Sequence, residues 1–372
     1  MHSIFYYSEE LAHFDFGPDH FFKPERAQKT LELCRRYGLV DLEQMAIKDP
    51  AALPKEKLLL GHSEDYLDAL LRVGNGEIFQ EMLSYGIGTE DNPPLKGIYE
   101  WSSRCASATW NGMIELLDNR CDVIFNPLGG FHHALYSKAE GFCYINDIVI
   151  AIKEALNRNV RITYLDIDAH HGNGVQKAFY DNDKVQFISL HESGRYIYPY
   201  TGFVEEIGEG RGRGFTINIP LPPKTDDELY LEAFYRVVKP LIKEFSPDVL
   251  VAQLGTDSVV SDPLTDLMTT NNSYVEIVGE LKILCEKILA TGGGGYDIYR
   301  TARCWTLAWG VLNDKEPRDE FAGLVGGMMF GPEMEVSSLY DKPYLVVGSE
   351  KDNIRKEVEE TIEYLIRRHH IS

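Results

Sequence analysis

The stretch RITYLDIDAHHGNGVQ (161–176) decides the fold: a mostly apolar, β-branched run ends on spaced carboxylates, then on paired histidines and two glycines. A run apolar at nearly every position, rather than at alternate ones, reads as a strand buried on both faces of a parallel sheet. Outward from it lie five more runs of the same kind: CDVIF (121–125), VQFISL (185–190), FTINI (215–219), DVLVAQL (248–254) and KILAT (287–291). Helical patterns alternate with them at 24–37, 63–73, 97–118, 146–157, 226–244, 272–288, 297–312 and 351–369. Pro24 opens the first and Gly38 closes it, while the last carries its acids early and its bases late, as the helix dipole favours. The alternation predicts an α/β fold with a central, mostly parallel sheet flanked by helices. No repeat, linker or low-complexity stretch divides the chain, so a single domain is expected over 1–372, with a motif-bearing core over about 1–312 and a helical segment over about 313–372.

Five of the six runs lead straight into polar or glycine-rich segments: NPLGGFHH (126–133), DAHHGNG (168–174), HESGRYIYPY (191–200), GTDSVVSDPL (255–264) and GGGGY (292–296). In open parallel sheets the ligand crevice lies beyond the carboxyl ends of the strands. These five loops are therefore expected to converge on one site.

Composition narrows the function. The chain has 37 Lys plus Arg against 58 Asp plus Glu, a net charge of −21, whereas a duplex-binding surface must be cationic to displace counterions. Nucleic acid is excluded as the default partner. Apolar residues at 44% and charged residues at 26% are ordinary globular values, so a sizeable core is expected. The opening MHSIFYYSEELAHFDFG lacks the basic and apolar regions of a secretory signal, and no apolar run is long enough to span a bilayer. A soluble, cytoplasmic protein with no membrane partner is expected. Six cysteines are scattered without a CxxC pair, which points to reduced, mostly buried thiols.

Asp168 and His170 lie two apart after one strand, and Asp257 follows another. One imidazole and two carboxylates form a donor set that leaves room for water and substrate, as a catalytic divalent ion requires. Zn2+ is the first expectation, and Fe2+, Co2+ or Mn2+ suit the same ligands. Each residue alone reads more simply as a cap or loop anchor; the combination is what carries the metal reading. His132 and His133 follow Gly129 and Gly130, which let backbone approach a ligand, so the two imidazoles are candidates for general base and general acid rather than a surface pair. Asp166 is placed to orient an imidazole. Tyr296, after four glycines, is a candidate oxyanion donor or else a packing aromatic; a phosphate loop is disfavoured because no Lys-Ser/Thr follows.

Taken together, GGFHHA (129–134), GFCYIND (141–147), YLDIDAHHGNGVQ (164–176), ISLHE (188–192), LGTDSVVSDPL (254–264) and GGGGY (292–296), in this order, resemble the zinc-dependent histone deacetylase superfamily. The bacterial acetoin-utilisation and deacetylase-like branch is the nearest in pattern, and the resemblance runs from FDFGPDHFFKPERA (14–27) to about residue 312. It implies an arginase-like α/β fold and hydrolysis of acyl-lysine amides on a protein or peptide. By match, Asp168, His170 and Asp257 bind zinc, His132 is an electrostatic partner backed by Asp166, His133 is the general base and acid, and Tyr296 is the oxyanion donor. Asp91, in GTEDNPP, resembles the rim acid that holds the substrate backbone, and Gly141, Phe142, Tyr198 and Leu264 resemble the walls of the lysine channel. The family also binds structural K+, matched here to Asp166, Asp168, His170, Ser189 and Leu190, with a second position at Phe179, Asn182, Val185 and Phe215.

Two residues depart from the common pattern. Asn173 stands where many members have an Asp behind the second histidine; an amide stabilises an imidazolium less than a carboxylate does, so a lowered pKa is expected for His133. Tyr198 replaces the usual channel Phe and places a hydroxyl beside the acyl-lysine stem. Rival readings are an acetylpolyamine amidohydrolase, an arginase-type binuclear hydrolase, for which a second DxD beside Asp257 is missing, and a non-hydrolysing acyl-lysine binding module.

Overall fold

Eight strands build the sheet of this computed structural model: β1 (Ser3–Tyr6), β2 (Met45–Lys48), β3 (Val123–Asn126), β4 (Ile162–Asp166), β5 (Val185–Glu192), β6 (Thr216–Leu221), β7 (Val249–Gln253) and β8 (Ile288–Thr291). The structure describes residues 2–40, 44–317 and 339–371. The strand order is β2-β1-β3-β8-β7-β4-β5-β6, and every pairing is parallel. All six expected strands are present. The sequence reading missed β1 and β2; β2 is a partly exposed edge strand that needs little apolar character, whereas β1, SIFY, is as short and as buried as β3 and β8, which were recognised.

Alternate residues of each strand feed opposite layers. Val123, Phe125, Leu165, Ile188, Leu250, Ala252, Ile288 and Ala290 pack with the helices Glu25–Arg36, Asn271–Leu284 and Ile298–Leu312. Ile124, Ile162, Tyr164, Phe187, Val249, Val251 and Leu289 face the helices Ile98–Leu117 and Asp147–Leu156. With both faces covered, the strands bury every side chain from β3 through β5, which is why they read as continuous apolar runs.

The helix expected over 272–288 stops at Leu284, leaving room for β8, and the one expected over 226–244 contains a π-helical turn at Phe234–Val238 between two α segments. A short helix missed from sequence, Asn173–Phe179, starts directly behind the paired histidines of 170–171. Of the expected C-terminal segment, the helix Gly348–His369 packs Ile354, Val358, Ile362 and Leu365 onto the main core, while 318–338 lies outside the described residues. All six cysteines are unpaired and buried. Among the described residues, no helix is long and apolar enough to cross a membrane.

The register positions the site. Asn126 pairs with Thr291, Thr291 with Gln253, Gln253 with Asp166, and Asp166 with Ser189. Four adjacent strands, β3, β8, β7 and β4, thus end level with one another while β5 runs on to Glu192, and the five polar loops spring from the same edge of the sheet.

Candidate active site

Three side chains from two of those loops form a buried cluster. Asp168, His170 and Asp257 offer ligand atoms that all lie within 4.8 Å of one another. His170 Nδ1 is 2.9 Å from Asp257 Oδ2 and 3.3 Å from Asp168 Oδ1. Asp168 Oδ2 accepts from Gln253 Nε2 and from the Gly294 amide, both at 2.7 Å, and Asp257 Oδ1 accepts from the Ala169 amide at 2.7 Å. Burial, reinforced by the charge of Asp168, pushes the Asp257 carboxyl up to about 8. Burial opposes charge on Asp168 as well, but His132 and His170 outweigh it and hold its carboxyl well below the ordinary value; the two carboxylates with an imidazole between them form an N/O set that suits a divalent cation. The residues fit a metal.

Beside this cluster the two histidines of the glycine loop form a chain. Asp166 Oδ2 accepts from His132 Nδ1 at 2.8 Å and from the Tyr164 hydroxyl at 2.6 Å. His132 Nε2 is 3.0 Å from His133 Nε2, and His133 Nδ1 is 2.8 Å from Asn173 Oδ1. Burial opposes charge on His132, but the carboxylates of Asp166 and Asp168 outweigh it and raise its pKa. His133 is driven the other way, well below the ordinary imidazole value, by burial and then by the charges of His132 and His170. The two imidazoles are therefore pushed in opposite directions, His132 toward the charged form and His133 toward the neutral form, which can accept a proton.

Loop anchoring explains how this geometry is held. Asp147 accepts from the amides of Gly130 and Phe131 and from the Thr109 hydroxyl, fastening the glycine turn to the helix it begins. Gly130 has a φ of +93°, and a Cβ there would lie 2.2 Å from the Gly292 carbonyl oxygen, so only glycine lets the two loops touch.

A cavity of about 340 Å3 opens onto these groups. His133, His170 and Tyr296 line it together with Asp91, Gly141, Phe142, Tyr198 and Leu264, so all five expected channel residues lie here; Phe21 and Ile197 line it as well and were not anticipated. The Tyr198 ring stands edge-on to His133 at 5.0 Å, and the Phe142 ring edge-on to Tyr296 at 5.6 Å. Gly141 fits between His133 and Tyr198, where a Cβ would lie 2.5 Å from His133 Cδ2. Asp91 is exposed at the mouth.

The residues expected around structural K+ lie along β4 and β5 and the segments next to them. Asp166 pairs with Ser189 across β4 and β5, with Leu190 next along β5 and with Asp168 and His170 in the loop above. Phe179 ends the helix behind the site and its carbonyl accepts from Asn182, while Val185 opens β5 and the Phe215 carbonyl accepts from Phe187 on that strand.

Four supporting residues escaped the sequence reading. Gln253 braces Asp168; Asp262 accepts from the amides of Tyr296 and Leu264; buried Arg26 donates to the carbonyls of Gly293 and Gly295; Glu140 accepts from Asn173. Only Gln253 left a signal, as the one polar residue near the end of DVLVAQL.

Comparison with known proteins agrees with this arrangement. A family model described as the histone deacetylase domain matches residues 20–312. The acetoin utilization protein AcuC of Bacillus subtilis (strain 168) is 37% identical over 326 residues, 86% of this chain and 84% of the relative. Histone deacetylase B of Dictyostelium discoideum is 37% identical over 318 residues, 85% of this chain and 75% of the relative. The crystal structure of an HDAC homolog from Aquifex aeolicus superposes with a TM-score of 0.86 at 32% identity, covering 98% of this chain and 100% of that one. An HDAC homolog complexed with SAHA matches with the same TM-score at 33% identity, covering 98% and 99%.

Proposed function

This chain belongs to the histone deacetylase domain family and has its arginase-like fold, and from that premise we propose that it hydrolyses acyl-lysine amides in proteins or peptides with a divalent ion, zinc foremost, held by Asp168, His170 and Asp257. The observation that carries the reading is the common cavity: His170 of the buried Asp-His-Asp cluster, the histidine His133 and the tyrosine Tyr296 line one channel with apolar walls. When bound, the ion would polarise the acyl carbonyl and acidify the attacking water. Fe2+, Co2+ or Mn2+ would suit the same donors.

His133, held neutral by its surroundings, takes the proton of the attacking water and returns it to the departing lysine amine. His132, kept charged by Asp166, stabilises the negative charge developing across the site. The Tyr296 hydroxyl donates to the oxyanion. Gly141, Phe142, Tyr198 and Leu264 enclose the lysine stem, each buried methylene of which contributes roughly 0.8 kcal/mol. Asp91 at the mouth holds the substrate backbone, and K+ at the two positions named above stiffens the loops. A cytoplasmic location and a protein partner, rather than nucleic acid or membrane, complete the reading, and the charge of −21 supports attraction of basic substrates.

The test is a panel of acyl-lysine peptides of varied acyl length beside acetylputrescine, run on protein stripped of metal and then reloaded. Turnover of the peptides that vanishes on stripping and returns on reloading is expected. Preference for acetylputrescine would replace the reading with polyamine amidohydrolysis, and binding without turnover in the loaded protein would reduce it to an acyl-lysine binding module.

A further inference from the structure

Glu140 lies behind the channel wall, outside the cavity lining, with its side chain 20% exposed. Three side chains donate to its carboxylate: Lys138 to Oε1, and Asn173 Nδ2 at 3.3 Å and the Tyr198 hydroxyl at 3.5 Å to Oε2. We propose that Glu140 is a positioning residue that fixes the tautomer of His133 through Asn173; this rests on the reading of His133 as the general base.

The argument is one of donors and acceptors. An ionised carboxylate only accepts, and an amide has one end that donates and one that accepts. Facing Glu140, Asn173 must present its nitrogen there, which turns Oδ1 toward His133. That oxygen only accepts, so His133 Nδ1 carries the proton and Nε2 keeps its lone pair, 3.0 Å from His132 Nε2. Without Glu140 that constraint is lost, and only His132, whose charged ring presents Nε2–H to His133 Nε2 at 3.0 Å, still favours the Nδ1–H form; where the amide flips, its nitrogen donates to Nδ1, the imidazole proton moves to Nε2, and the base is blocked. An Asp at 173 has no such ambiguity, because both its oxygens accept. Here the amide at 173 needs a carboxylate beyond it, and Glu140, 33 residues away along the chain, is that group.

The tautomer is read from 15N NMR of histidine-labelled, metal-loaded protein, with the His133 signals assigned by their loss in His133→Gln. Wild type is expected in the Nδ1–H form, and Glu140→Ala to populate the Nε2–H form with kcat lower by about tenfold or more and KM within about twofold, in keeping with loss of a general base. The exchange Glu140→Gln with Asn173→Asp, which puts the carboxylate against His133 and the amide behind it, should return both the Nδ1–H signal and most of kcat. An unchanged tautomer in Glu140→Ala would overturn the proposal, as would a raised KM with kcat intact, the signature of a carboxylate that merely steadies Tyr198. Should Glu140→Ala fail to fold, Glu140→Leu, which keeps bulk but offers no acceptor, decides the question: it must lose the Nδ1–H form that the exchange variant keeps. The spectra need no turnover, so absence of acyl-lysine hydrolysis in wild type would refute the proposed function without touching the tautomer result.

Discussion

At the scale of single residues, Tyr296 shows how environment prepares a group. Its hydroxyl has no hydrogen-bond partner among the described residues, and burial, followed by the charges of Asp257 and Asp168, raises its pKa well above that of an ordinary phenol. It therefore stays a donor at any working pH, with its proton unspent. Tyr296→Phe is expected to fold and load metal as wild type does while kcat falls on the order of 100-fold to 1,000-fold; near-normal turnover with full metal content would remove Tyr296 from the chemistry. Residues of this kind were legible in the sequence because they stand at strand ends in short, chemically odd segments. Glu140 was not, and Gln253 showed only as a polar residue near the end of an apolar run: neither stands in a segment of that kind, and their roles come from contacts to Asn173 and Asp168, 33 and 85 residues away.

Among the elements, the loop Gly292–Gly295 shows why four glycines precede the tyrosine. A Cβ at Gly294 would lie 2.0 Å from Asp257 Oδ2 and 3.0 Å from Asp168 Oδ2, and one at Gly293 would lie 2.1 Å from Gln253 Nε2. The sequence marks this segment as four glycines before a tyrosine and disfavours a phosphate loop; the structure shows a close backbone approach to the carboxylate cluster, closed by Arg26 from the other side. Gly294→Ala should displace the Asp257 carboxylate and lower metal affinity by roughly tenfold to 100-fold, as loss of ligand support does elsewhere. Titration with a competing chelator measures this, and wild-type affinity would show that the loop yields. The same scale bears on the two missed strands: β2 is a partly exposed edge strand and lacks the apolar continuity that marked the six recognised runs, while β1 is interior and buried throughout and was overlooked despite its apolar sequence.

For the whole molecule, buried imidazoles set a pH limit. His62 and His191 are each held down to about 4, chiefly by burial, against an ordinary value of 6.5. The unfolded chain takes up these protons near 6.5 and the folded one only near 4, so folding stability is complete above pH 6.5 and declines as pH falls toward 4, by up to about 3 kcal/mol for each histidine. Thermal midpoints of the metal-loaded protein should drop over that window; a flat or rising profile would contradict the burial of these groups.

The strand order carries one more consequence. Among the described residues β8 is the last strand in chain order, and it is seated between β3 and β7 in the middle of the sheet, so without it the strands form only two half-sheets, β2-β1-β3 and β7-β4-β5-β6. The half-sheets can join only after residue 291 is free of the exit tunnel, and the loop bearing Tyr296 arrives with the strand that closes the seam. Assembly and competence to react are thus a single late event in the life of the polypeptide, with no partially built catalyst before it.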